Sequence, residues 1–340
     1  MIQRVLVLPI NASTEQSIQN AITTADGTMG TSSTARIAVL MPTWIGDACM
    51  ATPMLTSLRE SFPGAVLVGV MPNLVHELLA EDADAPIFDE RVIFHKQGKK
   101  RVSHSVSRLE LIVTLRRMKL DYALLLPNSF WSAAVVWAAG IPNRVGYNRD
   151  GRGLLLSERI PVPKADGKPK PVSAIDYYLE LMRPIGGQFA DRTMKLHVGE
   201  EDRELATRLW QKIGFSNSRE TVVLNSNAAK DVSRVWPREK VKQLALELVE
   251  RADVQVLLHC GPSERKDANE LVAELNHPCL QSMGAVEELP LGLSRGVMER
   301  ASTVVSTDSG ARHMAVALNR PVVTLYGSTS PLWTETYNTP

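Results

Sequence analysis

The stretch Ser306-Thr307-Asp308-Ser309-Gly310-Ala311-Arg312-His313 combines residue types suited to holding a charged ligand. The apolar run Ala301-Ser302-Thr303-Val304-Val305 precedes it, and Met314-Ala315-Val316-Ala317-Leu318 follows, closed by Asn319 and Pro321. The pattern predicts a buried strand, a tight polar turn and a short helix, with a second strand over Pro321 to Gly327. Such a βαβ unit sets its turn at the carboxyl edge of a parallel sheet. There the first helical N–H groups have no intrahelical partner and the helix dipole favours negative charge. A diphosphate suits that place, and Gly310 permits close approach. A purely structural alternative remains open: Asp308 or Ser309 serves as a helix cap.

The elements that must position this turn recur along the chain. Residues 1–34 read as a flexible N-terminal extension, rich in Thr, Ser, Gly and Ala from Thr23 to Ala35. From 35 to 190, strand patterns at Ile37–Met41, Val66–Val70, Val92–Phe94, Tyr122–Leu126 and Arg144–Tyr147 alternate with helical ones. Those helices are expected through Met54, Leu58 and Phe62, with Pro53 near the start or at a kink, and at Leu74–Ala80, Val106–Met118 and Ser129–Ala139. Lys164–Pro171 reads as an exposed loop and Ala174–Met182 as a helix packing back on the first domain. From 191 to 340 the pattern restarts near Met194–Val198. Strands are expected at Thr221–Asn225, Val254–Cys260 and Cys279–Gln281, and helices at Glu200–Ile213, Arg238–Arg251, Glu264–Leu275 and Leu289–Arg300. The fold class is therefore α/β, with two doubly wound halves expected to face each other across a cleft.

The 340 residues suit two domains, and 44% apolar with 22% charged residues is ordinary globular composition. A net charge of +1 gives no global electrostatic case for nucleic acid, so no nucleic-acid partner is expected. Cys49, Cys260 and Cys279 form no metal or redox pattern, and no metal or cofactor site is expected. No apolar run approaches the roughly 20 residues that span a bilayer, and the start lacks a convincing signal core, so a cytoplasmic location is expected. No glycine-rich dinucleotide or P-loop motif occurs, which weighs against an oxidoreductase or an ATPase.

Several pieces together resemble a known family. Pro42-Thr43-Trp44-Ile45-Gly46-Asp47, then Thr52-Pro53, resembles the first strand-loop-helix of the ADP-heptose:lipopolysaccharide heptosyltransferases, glycosyltransferase family 9. Leu126-Pro127-Asn128-Ser129-Phe130 and Gly140-Ile141-Pro142-Asn143-Arg144-Val145-Gly146-Tyr147 resemble its heptosyltransferase II branch. Arg234-Val235-Trp236-Pro237 and Asp308-Ser309-Gly310…His313…Ala317-Leu318-Asn319-Arg320-Pro321 resemble its nucleotide-sugar domain. The likeness covers about residues 36 to 335. Residues 1–34 have no counterpart, and the chain stops soon after Gly327-Ser328-Thr329-Ser330-Pro331, short of the family's C-terminal helical segment.

The resemblance implies a GT-B fold: two Rossmann-like domains, the acceptor on the first and the donor on the second. It implies inverting transfer of heptose from ADP-heptose to a glycolipid acceptor at the cytoplasmic face of the inner membrane. It also implies roles. Asp47, where a strand gives way to a helix, matches the family's base; its structural alternative is a helix cap. Arg234 occupies a slot where the family usually has lysine, leaving Lys230 as a rival clamp for the departing ADP; either is otherwise a solvated loop cation. Glu264 matches an acid that contacts the nucleoside, or is an ordinary N-terminal helix acid. Asp308 matches the acid that holds sugar hydroxyls, with Ser309, Gly310 and His313 around the diphosphate. Asn128, Ser129 and Arg144 are the acceptor-binding candidates.

Eight cations between Lys96 and Lys119 face one acid, Glu110; the run is a solvated helix face or, with Arg144 and Arg149, a rim for an anionic acceptor. Asp82-Ala83-Asp84 has the DxD form but follows a helix on the acceptor side, and the resemblance implies a GT-B enzyme, which does not use a DxD to hold the donor, so it reads as an acidic loop. Trp131, Trp137 and Trp236 read as packing. The competing functions are a transferase using another nucleotide sugar and a catalytically silent sugar-nucleotide or glycolipid binder.

Overall fold

The computed structural model describes residues 34–79, 86–95, 105–165, 167–226 and 235–337. The chain forms two compact units, one of Met1–His76 and Glu81–Arg192, the other of Glu77–Ala80 and Thr193–Pro340.

The first unit runs β1 (Arg36–Leu40), α1 (Ile45–Ser61), β2 (Val66–Pro72), α2 (Asn73–Leu78), β3 (Glu90–Phe94), α3 (Arg108–Arg117), β4 (Tyr122–Leu125), α4 (Phe130–Ala138), β5 (Asn143–Tyr147) and β6 (Glu158–Ile160). A two-stranded ribbon, β7 (Lys164–Ala165) and β8 (Lys168–Pro169), then leads to α5 (Ala174–Leu179). The sheet order is β3-β2-β1-β4-β5-β6, every pair parallel. Ile37, Ala38 and Val39 are wholly buried, as expected for a central strand covered on both faces. Strand order reverses between β1 and β4, so their carboxyl ends diverge and leave a crevice.

Three expectations need correction here. Helix α1 begins eight residues before Pro53, which lies in its interior. Proline removes the N–H that would bond to the Cys49 carbonyl, and the Thr52 hydroxyl donates to that carbonyl instead, at 2.7 Å. The stretch Lys164–Pro171, expected as a loop, contains the antiparallel β7–β8 pair, turned by Gly167 at φ +75°. Helix α3 starts at Arg108 because Ser107 and Glu110 form a capping box, which commits the one acid of the cationic run to holding a helix end.

The second unit runs α6 (Glu200–Ile213), β9 (Thr221–Asn225), α7 (Arg238–Arg251), β10 (Gln255–Leu258), α8 (Arg265–Leu275), β11 (Leu280–Ser282), α9 (Leu291–Arg300), β12 (Thr303–Thr307), α10 (Gly310–Ala317) and β13 (Val322–Leu325). Its parallel sheet has the order β11-β10-β9-β12-β13, with the reversal between β9 and β12. Met194–Val198 is not a strand, although Met194 and Val198 are buried and the Leu196 N–H donates to the Ala317 carbonyl. Strand β12 extends to Thr307 and α10 starts at Gly310, so the polar turn is shorter than its sequence suggests. Arg295 and Asp202 join α9 to α6 by a bidentate ion pair at 2.7 and 2.9 Å, both side chains buried.

Candidate active site

In the first unit a pocket of about 440 Å³ opens at the β1/β4 reversal, lined by Thr43, Trp44, Asp47, Asn128, Trp131 and Tyr178 among others. Asp47 stands in the first turn of α1, whose N-cap is Trp44, where the helix dipole favours a carboxylate. Its Oδ1 accepts a hydrogen bond from the Tyr178 hydroxyl at 3.2 Å. Burial, and then the Asp47 charge, push the Tyr178 hydroxyl well above its ordinary range, so it stays a donor. Burial and the same charge raise the Cys49 thiol, which excludes a thiolate beside Asp47. A half-buried carboxylate that meets the Tyr178 phenol and lines a pocket has the makings of a proton acceptor.

Asn128 and Ser129 lie at the same rim. The Ser129 hydroxyl is committed to capping α4, accepting from the Ser132 N–H at 3.2 Å. The Asn128 Oδ1 accepts from Arg152 Nη2 at 3.0 Å and from the Tyr177 hydroxyl at 3.2 Å. Arg144 is not brought to this pocket. It lies near the start of β5, paired with Ala123, and its guanidinium donates to the carbonyls of Leu155, Ile141 and Pro142. It ties loops together there.

In the second unit the turn after β12 sits at the β9/β12 reversal. Ser309 occupies the N-cap position of α10 but makes no side-chain capping bond. Its hydroxyl instead accepts from Asn225 Nδ2 at 3.0 Å and lies 3.3 Å from Ser306 Oγ. The first N–H groups of α10 are thereby left without the serine cap, the condition an anion site requires. Asn225 also meets His259 Nδ1 at 3.1 Å, and His259 Nε2 meets Ser294 Oγ at 3.0 Å. Because Asn225 uses its amide N–H groups on the serines, its Oδ1 must accept from His259, which fixes the ring as the Nδ1–H tautomer. Burial lowers His259 to about 4, so the ring is neutral at pH 7.

Asp308 is 2% exposed and does not cap the helix through solvent-facing geometry. Its Oδ1 lies 3.4 Å from Arg312 Nη1 and 3.7 Å from His313 Nε2, while Oδ2 accepts from Thr329 Oγ1 at 2.8 Å. Burial works against its charge, but its neighbours His313 and Arg312 and the hydrogen bond from Thr329 bring it down to about 2. Burial lowers His313 despite Asp308, so the pair is an ionised acid beside a neutral imidazole. His313 is buried, and its Nδ1 has no partner among the described residues. Thr329 takes one of the acceptor sites that Asp308 would offer to sugar hydroxyls.

Glu264 occupies the N-cap position of α8 without a side-chain capping bond and is used locally: Oε2 accepts from the Gly261 N–H at 2.8 Å and Oε1 from the Ser263 hydroxyl at 2.7 Å. It stands at the same sheet edge, beyond β10. Lys230 and Arg234 lie outside the described residues, as does Asp82-Ala83-Asp84. The Trp236 N–H donates to the Ser226 carbonyl at 2.9 Å, which brings together the two ends of the segment carrying those cations. A hollow of about 560 Å³ beside these ends is lined by Ser226, Trp236, Arg238 and His259, among others. The sequence did not single out Asn225, Tyr178 or Arg152. The one local signal was a polar residue, Asn225, ending an apolar strand.

Comparison with known proteins gives the family and the fold. The family model for glycosyltransferase family 9 (heptosyltransferase) matches residues 108–340. Lipopolysaccharide heptosyltransferase 2 of Escherichia coli K12 is 28% identical over 311 residues, covering 88% of this chain and 84% of that protein. The solved structure of the E. coli ADP-heptose heptosyltransferase II superposes with a TM-score of 0.71 at 26% identity, covering 89% of this chain and 88% of that one. A glycosyl transferase family 9 structure from Veillonella parvula gives a TM-score of 0.74 at 19% identity, covering 89% and 83%. These likenesses give the fold as GT-B. The chain belongs to glycosyltransferase family 9, the heptosyltransferase family.

Proposed function

We propose that this glycosyltransferase moves heptose from ADP-L-glycero-D-manno-heptose to the heptosyl-Kdo2-lipid A inner core of lipopolysaccharide, inverting the anomeric carbon. Family membership supports the reaction class. The observation that carries the assignment of the donor site is the Ser309 hydroxyl turned onto Asn225, which leaves the α10 N-terminus open to a diphosphate.

In this reading the acceptor oxygen forms its bond to the anomeric carbon as the bond to the β-phosphate oxygen breaks. The acceptor proton passes to Asp47, and ADP leaves with the electron pair. Charge growing on the diphosphate is stabilised by the N–H groups of Gly310 and its neighbours, and by Lys230 or Arg234. Glu264 is assigned to the ribose, and Asn128 and Ser129 to the acceptor. No metal or cofactor has a step in this scheme. Among the described residues no helix is long and apolar enough to cross a membrane. The glycolipid is proposed to be met at the inner-membrane surface.

The test is incubation with ADP-heptose and a heptosyl-Kdo2-lipid A acceptor, following ADP release and product mass. Transfer from a different nucleotide sugar alone assigns the chain to another donor. Tight ADP binding with no turnover on any donor makes it a silent binder.

A further inference from the structure

Arg152 is fully buried, and every partner it has is neutral: the carbonyls of Tyr147 and Pro127, the Ser132 hydroxyl and Asn128 Oδ1. Burial brings it down only to about 10, so it carries its charge at pH 7. The carboxylate that acts on it from further off, Asp150, is itself paired with Arg149 at 3.3 Å, so positive charge stays in excess around Arg152. Arginine has no acceptor atom, so the carboxamide of Asn128 has one possible orientation: the oxygen faces Arg152 and Tyr177. Its Nδ2 faces the other way, and no protein group among the described residues takes its hydrogens. Asn128 lines the same pocket as Asp47.

We infer that Arg152 and Tyr177 are positioning residues that fix Asn128 with both N–H donors presented to the pocket, where they recognise an anionic oxygen, a carboxylate or phosphate, on the acceptor. Asp47 is the one acid among the pocket's lining residues, so the complementary ligand carries a hydroxyl for Asp47 and an anionic oxygen for Asn128. The inference rests on the proposed function only in calling that ligand the acceptor.

The test reads binding without turnover. Trp44 and Trp131 line the pocket, so their fluorescence can follow titration with glucuronate, glucose 6-phosphate and neutral glucose. At least one charged sugar should bind the native protein about tenfold or more tightly than glucose. Asn128→Asp still accepts from Arg152 and Tyr177 and gives the arginine a directly bonded carboxylate, so its melting temperature should hold or rise. It replaces the two donors with an acceptor, and charged-sugar affinity should fall about tenfold or more while ADP affinity stays unchanged. With the full transfer assay, its acceptor KM should rise more than kcat falls. Equal binding of glucose and the charged sugars overturns the inference, as does undiminished charged-sugar affinity in a folded Asn128→Asp protein. The better of the two charged sugars distinguishes carboxylate from phosphate. Selective binding without heptose transfer would sink the proposed function and leave this inference standing; transfer without selectivity would do the reverse.

Discussion

The most informative perturbation is Asn225→Leu, because it sets a helix cap against ligand binding. In the native turn the Ser309 hydroxyl is held by the Asn225 amide at 3.0 Å and does not cap α10. Leucine keeps similar volume and removes the amide. The freed hydroxyl can then accept from the N–H of Ala311 or Arg312, a cap worth about 1 kcal/mol to the helix. Each N–H so occupied is lost to the diphosphate. A hydrogen bond to a charged group is worth about 1.5–3 kcal/mol, so the ADP Kd should rise by about 10- to 150-fold. His259 loses its partner at Nδ1, costing about 1–3 kcal/mol of stability. Calorimetric titration of ADP into Asn225→Leu, Ser309→Ala and the double variant separates the contributions. Ser309→Ala alone should bind ADP within about twofold of native, the span of ordinary non-additivity. The double variant, having no hydroxyl to turn onto the helix, should recover most of the lost affinity. If it stays as weak as Asn225→Leu, or if Ser309→Ala itself abolishes binding, the vacant N–H groups are not what holds ADP.

Other expectations follow from the same geometry. Asp47→Asn should lower kcat by about 10²- to 10⁴-fold, the usual worth of a general base, with ADP affinity nearly unchanged; near-normal turnover would remove Asp47 from that role. Asp308 is depressed from 3.8 to about 2, worth about 2 kcal/mol to the folded state. That contribution is complete above the unfolded value and is lost as pH falls from about 4 to about 2, so Asp308→Asn should flatten this part of the acid limb in denaturant titrations. Asp202→Ala leaves the buried Arg295 charge unpaired and should cost about 3–5 kcal/mol by urea unfolding. Asp202→Leu with Arg295→Met should restore much of that loss.

The architecture was readable because its cause is local. Alternating apolar runs and helical faces mark the elements, and Thr221–Asn225 and Arg238–Arg251 have the bounds their sequences indicate. Helix starts were harder. Trp44 is an unusual N-cap, and the first turn of α1 has little of a helix-start pattern, so the helix was placed around its later apolar residues. Ser306–His313 was recognisable as a ligand turn, but whether Ser309 caps the helix depends on Asn225, 84 residues away in sequence. Tyr178 reaches Asp47 across 131 residues and Arg152 reaches Asn128 across 24. Such partners are chosen by strand order at the sheet reversal, which no local pattern encodes. Arg144 misled for the same reason: its motif is near the right strand, but the residue lies at the strand's far end.

Gly146 and Arg152 have linked fates. A methyl group at Gly146 would stand 3.0 Å from Arg152 Nη2, so the bare backbone of β5 is the bed on which the guanidinium lies. Gly146→Ala should push the guanidinium aside by a few tenths of an ångström and loosen its hold on the Asn128 carboxamide. Sequence drift in distant relatives is therefore expected to change the two positions together: a side chain at the first where the second is no longer arginine, and glycine wherever the arginine is kept.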